Sequence, residues 1–209
     1  MLTQFFTIGL LVLLSAMLPG PDFALVTKNS IIHSRRAGIF TSLGIAVAVL
    51  IHITYCVLGL AVIISQSLFL FSIIKYIGAI YLIYLGITAL LTKHVGKIET
   101  KTSHVLQKRK VSSLTAFKQG FLCNLLNPKA TIFFLALFTM IIKPETPKLW
   151  ELAYAVEIFI IVVAWFCSLT IILSHPRILR ILNKIEKYIE KTVGIFLIGF
   201  GLVLAFMGK

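Results

Sequence analysis

The chain has 209 residues, of which 59% are hydrophobic and only 13% charged, where soluble domains carry about a quarter charged residues. With a mean hydropathy of +1.01, this composition excludes an ordinary soluble domain and defines an all-α polytopic membrane protein. The formal net charge of +13 does not indicate nucleic acid as a partner, because Lys and Arg sit in short loops between apolar runs, the pattern that orients a protein in a lipid bilayer.

The first apolar run extends from Gln4 to about Ile32. As a helix it would cover roughly 45 Å, more than the roughly 30 Å hydrocarbon core, so an interruption within it falls near mid-membrane. Leu18-Pro19-Gly20-Pro21-Asp22 is that interruption. Each proline removes a donor and clashes with the carbonyl four residues back, at Ser15 and Met17. Leu18 and Gly20, each preceding a proline, are biased away from helical angles. A helix can restart at once, with Gly20 as N-cap, Pro21 at the first position and Asp22 in the first turn. Freed carbonyls and a carboxylate at this depth are tolerated only beside a cavity or a protein partner. The N-terminal stretch lacks a basic n-region and an A-x-A site, so Gln4–Leu18 reads as mature protein rather than signal peptide.

Six membrane helices are predicted, at about 4–32 (broken), 38–64, 68–92, 115–142 (broken), 149–173 and 190–207. Gly38, Gly44 and Gly59 in the second, with Gly78 and Gly86 in the third, are small residues that let helices approach closely in lipid. The chain reads as one membrane domain, 1–209, with halves 1–92 and 115–207 joined by a basic loop, 93–114. From Lys93 to Lys118 there are seven Lys/Arg and one acid, Glu99. Residues 177–191 space Arg177, Arg180, Lys184, Lys187 and Lys191 three and four apart among Ile and Leu, which predicts an interfacial amphipathic turn leading into the last helix. The loops after helices one, three and five carry fifteen basic residues against three (Lys75, Lys143, Lys148) in the others. That imbalance puts the first set in the cytoplasm and both termini outside.

Three helices per half make any duplication an inverted 3+3 repeat, and the second half contains a matching interruption, Asn124-Leu125-Leu126-Asn127-Pro128-Lys129. Paired discontinuous spans at corresponding places point to a transporter's substrate site. Asn127 is a good N-cap and Pro128 a good first residue, but Lys129 then lies where the helix dipole disfavours a cation. Each mid-membrane charge costs about 2.5–3.5 kcal/mol, so Asp22 and Lys129 should either neutralise each other or share a ligand bearing both charges. An amino-acid zwitterion is such a ligand: its carboxylate suits Lys129 and the amides of a helix start, its ammonium suits Asp22 and the unpaired carbonyls. The predicted substrate site is therefore Pro19, Gly20, Pro21, Asp22, Asn124, Asn127, Pro128 and Lys129. A permanent Asp22–Lys129 bridge is the structural alternative, and for the two asparagines capping is an equal alternative to substrate contact.

His52 and Glu157 are ionisable groups deep in the second and fifth helices, at near-equivalent places in the two halves. They are the candidates for proton coupling. The alternative is a hydrogen-bonded histidine and an acid near the outer surface beside Tyr154 and Glu151. The aromatic runs (Phe69, Phe71, Tyr76, Tyr81, Tyr84; Phe133, Phe134, Phe138) read as packing and interface anchors, with lining of the path as the lesser alternative. Cys56, Cys123 and Cys167 lie far apart in apolar stretches and read as small core residues. No His/Cys/Asp cluster has metal-ligand spacing, and G-x-S-x-G, H-E-x-x-H and a Walker glycine run are missing. The sequence thus calls for no metal, no cofactor and no enzymatic role.

These residues resemble the LysE/RhtB family of amino-acid exporters along essentially the whole chain. The matching pieces are PGPDFALVTKNS at 19–30, RRAGIFTSLGIA at 35–46, KYIGAIYLIYLG at 75–86, GFLCNLLNPKATIFF at 120–134 and VGIFLIGFGLVLA at 193–205. The resemblance implies efflux of an amino acid or close derivative (lysine, arginine, threonine, homoserine and its lactone, leucine and cysteine among relatives), driven by protons, across the inner membrane of a bacterium. It also implies Pro19, Pro21, Asp22, Asn127, Pro128 and Lys129 as the matching signature positions. Distant relatives of the superfamily handle cations, which leaves a metal-cation or other small-solute exporter as the alternative; Lys129 argues against a cation. Many relatives carry Gly-Asp where this chain has Ala48-Val49, so a coupling role for that acid does not transfer. Relatives often carry Pro-Gln-Phe near the end of the fourth helix, where this chain reads Phe138-Thr139-Met140-Ile141. The glycine-bearing helices leave a homodimer open.

Overall fold

The computed structural model describes residues 1–91, 111–142, 146–173 and 176–206, and all regular structure among them is helical. The helices are α1 (Leu2–Met17), α2 (Pro21–Lys28), α3 (Arg35–Gln66), α4 (Leu68–Leu91), α5 (Ser113–Leu125), α6 (Pro128–Ile141), α7 (Lys148–Leu173) and α8 (Pro176–Phe206). A π-helical turn, Asn29–His33, follows α2. Four spans are long and apolar enough to cross a membrane unaided: 35–59, 69–91, 148–173 and 188–206. The pairs α1–α2 and α5–α6 each make a further apolar span, bent by 62° and 58° at the break. Six spans result, two of them broken where the prolines require it.

Serines start three of the helices by accepting a first-turn amide, which replaces one of the bonds a helix start lacks. Ser34 takes Ala37 N at 3.1 Å, Ser67 takes Leu70 N at 3.2 Å and Ser112 takes Thr115 N at 3.1 Å. α3 therefore begins three residues before the expected 38, and α5 begins at Ser113 rather than 115. The segment expected as an interfacial turn before residue 190 is instead helical and continuous with the last span from Pro176. No Gly or Pro lies between Arg177 and Val193 to interrupt it. The side chains predicted for its basic face, Arg177 to Lys187, lie outside the described residues, as do loop residues 93–110. Lys75, counted above as a loop cation, sits inside α4, buried, with Nζ 5.2 Å from the Tyr76 ring centroid.

Glycines set the closest helix contacts, since in lipid close packing replaces the hydrophobic drive between helices. A Cβ on Gly44 would run into the Phe117 carbonyl, and one on Gly120 into the Thr41 carbonyl, so α3 and α5 meet backbone to backbone. Gly86 packs on Gly194 and Gly201 on Ala79, which seats α4 antiparallel against α8. Gly78 fits against Ala136 of α6. Gly59 departs from the expectation: among the described residues nothing lies within 4 Å of its would-be Cβ. α1 runs parallel to α7, with Gln4 beside Tyr154, Gly9 beside Glu157, and Ala16 beside Trp165. The core (Ile8, Leu11, Ile45, Leu82, Phe138, Tyr154, Ile158, Leu197) lies between these helices. Large apolar side chains such as Phe6, Phe69, Ile80 and Phe206 point outward, as a lipid-facing surface requires.

Candidate functional site

The two breaks meet in space. At the first, Leu18 turns to φ −66° and ψ 135°, Gly20 is extended, and α2 restarts with Pro21 in its first turn. The carbonyls freed at the end of α1 are taken up locally and across the bundle. Ser15 O accepts Leu18 N at 3.3 Å, and Ala16 O accepts the indole N–H of Trp165 at 3.0 Å. At the second break, Asn127 is extended (φ −81°, ψ 109°) and caps α6, its Oδ1 accepting Lys129 N at 3.0 Å. Its carbonyl accepts Thr131 N at 3.1 Å. Both restarts use a proline whose missing donor costs nothing at that position.

Asp22 is held by the second break, not by Lys129. One oxygen, Oδ2, accepts Asn124 Nδ2 at 2.9 Å and Asn127 Nδ2 at 3.1 Å. The other, Oδ1, is buried without a hydrogen-bond partner among the described residues, as is Asn124 Oδ1. The Lys129 ammonium lies instead over the Gly20 backbone, with Nζ 3.4 Å from where a Cβ on Gly20 would sit. Asn127 thus does two jobs: its oxygen starts α6 and its amide steers the carboxylate.

Behind the asparagines, His52 is 1% exposed and its Nε2 donates to the Asn124 carbonyl at 3.1 Å. A carbonyl only accepts, so Nε2 carries a proton in either charge state and the exchangeable position is Nδ1. That atom is paired with the Tyr55 hydroxyl. The imidazole is stacked on Phe134, with ring centroids 5.8 Å apart. Asp22, Asn124, His52 and Tyr55 therefore form a connected polar line between the break and the C-terminal half of α3.

A cavity lies at the meeting point. Its polar wall is Ser15, Asp22, Asn124, Asn127 and Lys129; its apolar wall includes Val12, Val49, Phe133, Phe134, Val162 and Phe166. Of the predicted site residues, Gly20, Pro21, Asp22, Asn124, Asn127 and Lys129 line it together. Pro19 and Pro128 are exposed, and Pro19 borders a separate cavity. Glu157 is elsewhere: Gly9 packs against its Oε1, its Oε2 is buried without a hydrogen-bond partner among the described residues, and it lies one turn past Tyr154 in the first half of α7.

Phe133 and Phe134, read chiefly as packing anchors, are both buried and line the cavity. Sequence reasoning also missed Trp165, Tyr55 and Ser15. Trp165 carried a signal, since a mid-span indole N–H must find an acceptor and a proline break supplies one. Among the described residues no three His, Cys, Asp or Glu gather as metal ligands.

Residues 13–208 match the sequence model of the LysE type translocator family. The chain is 32% identical over 190 residues to an uncharacterised membrane protein, YrhP, of Bacillus subtilis, covering 89% of this chain and 90% of that one. It is 28% identical over 204 residues to the threonine efflux protein of Escherichia coli, covering 98% of each. No solved structure matches it. The fold is that of a multi-pass membrane protein, and the family match gives the translocator class. The chain belongs to the LysE type translocator family, an exporter of small solutes.

Proposed function

We propose that the protein exports an amino acid, or a close derivative that is a zwitterion, across the cytoplasmic membrane of a bacterium in exchange for protons. The observation that carries this reading is one cavity bordered by Asp22 and Lys129, with no bond between the two. Each mid-membrane charge costs about 2.5–3.5 kcal/mol when left unmatched. An ammonium placed at Asp22 Oδ1 and a carboxylate placed at Lys129 would offset both costs together. The similarity to the threonine efflux protein supports the same substrate class.

Proton exchange is assigned to the line Asp22, Asn124, His52, Tyr55. Nδ1 of His52 accepts from Tyr55 when the ring is neutral and donates to it when charged, so the ring gains or loses a proton without losing its anchor on Asn124. Glu157, which does not line the cavity, is a second protonatable group, packed against Gly9 of α1. The broken pairs α1–α2 and α5–α6, with α3 and α7 beside them, fit an inverted repeat of the two halves. Gly59 and Gly199, with nothing within 4 Å among the described residues, leave small-residue surface through which a second copy would pack. The test is efflux of a full amino-acid panel from loaded proteoliposomes with and without a proton gradient. Efflux of one amino-acid class, accelerated by inward protons, is expected; no efflux of any of them would defeat the reading.

A further inference from the structure

Lys129 borders two cavities. Beside the central one lies a second, walled by Leu18, Pro19, Leu85, Thr88, Ala89, Lys129 and Glu190. Leu18 and Lys129 are common to both, so together they form the partition. Glu190 is 5% exposed, a carboxylate in the first turn of the last apolar span, beside Thr88 and Ala89 near the end of α4. Intramembrane acids mark ligand or ion paths by default. The end of α4 leads into the basic loop, and the start of α8 carries the basic segment, so this second chamber faces the side on which Lys and Arg concentrate. By the charge rule that side is the cytoplasm.

We infer that this chamber is the cytoplasmic vestibule of the transport path, a substrate subsite in which Glu190 receives the ammonium and Lys129 the carboxylate of the amino acid. The inference rests on the export reading and adds a handover to it. Lys129 keeps hold of the carboxylate while the ammonium passes from Glu190 to Asp22, and Leu18 is the apolar plug the ligand must displace. One cation shared between two acids lets the ligand cross the partition without both charges being bare at once. A carboxylate accepts up to about four hydrogen bonds, so an incoming ammonium adds to whatever neighbours Glu190 already has.

The test uses thiol chemistry, which does not depend on transport. In a background lacking Cys56, Cys123 and Cys167, Ala89→Cys places a thiol in the chamber wall, and Thr88→Cys provides a second position should the first fail to fold. A membrane-impermeant trimethylammonium thiosulfonate is expected to react at least tenfold faster in inside-out vesicles than in right-side-out ones. Glu190→Gln is expected to slow this cationic reagent several-fold against a neutral one. In threonine efflux, Glu190→Gln is expected to raise KM severalfold with the maximal rate held within about twofold. Equal or faster labelling from the outer face, or an unchanged ratio of cationic to neutral rates in Glu190→Gln, overturns the vestibule. Labelling as expected in a protein that exports no amino acid keeps the vestibule and removes the substrate reading instead.

Discussion

Replacing Asp22 by asparagine is the sharpest perturbation of the site. The carboxylate holds two amide donors, at 2.9 and 3.1 Å, and offers its free oxygen to the ligand. The substituted amide retains one acceptor for Asn124 or Asn127, so the α2 start should survive. The ligand ammonium, in contrast, loses its counter-charge. Removing one member of a desolvated charge pair costs about 2–5 kcal/mol, a fall of roughly 30-fold to several thousand-fold in transport efficiency. Lys129→Met removes the other pole, with a loss of the same order expected on the carboxylate side. Because Asp22 and Lys129 do not bond each other, the double variant D22N/K129M should be as inactive as the worse single one. The assay is counterflow of a labelled amino acid in proteoliposomes, with thermal stability in detergent as the folding control. Recovery of transport in the double variant would refute the reasoning and make the pair a structural bridge.

Further outcomes follow from the same geometry. Asn127→Ser should keep the α6 cap but lose the bond to Asp22, whereas Asn127→Ala should lose both and fall a further ~1 kcal/mol in detergent stability; comparing melting shift with transport separates the two jobs. Trp165→Phe leaves the half-buried Ala16 carbonyl without its donor, which should cost about 1 kcal/mol by thermal unfolding. Gly120→Ala drives a methyl into the Thr41 backbone and should destabilise by about 1–3 kcal/mol, while Gly59→Ala, in open space, should be neutral or slightly stabilising. His52→Gln can still donate to Asn124 but cannot take a proton. Substrate exchange should persist in that variant, while acceleration by an inward proton gradient and its pH dependence should vanish; an unchanged pH profile would retire His52 from coupling.

Chain chemistry alone determined where the spans break and how they restart. Pro19, Pro21 and Pro128 act on the residues beside them, so their consequence does not depend on the rest of the fold. Apolar run length likewise determined the six spans, since the bilayer imposes that length from outside. Which faces meet was decided only in three dimensions. α3 and α7 are apolar on all sides, so no stripe in either marks the face that Val49, Val162 or Phe166 turns toward the cavity. The asparagine clamp on Asp22, the Trp165 cap on Ala16 and the wall shared by Lys129 and Glu190 all join residues about 60 to 150 positions apart. Charge balance required that Asp22 and Lys129 be compensated; only the helix rotations decided that they face one cavity and leave each other unbonded.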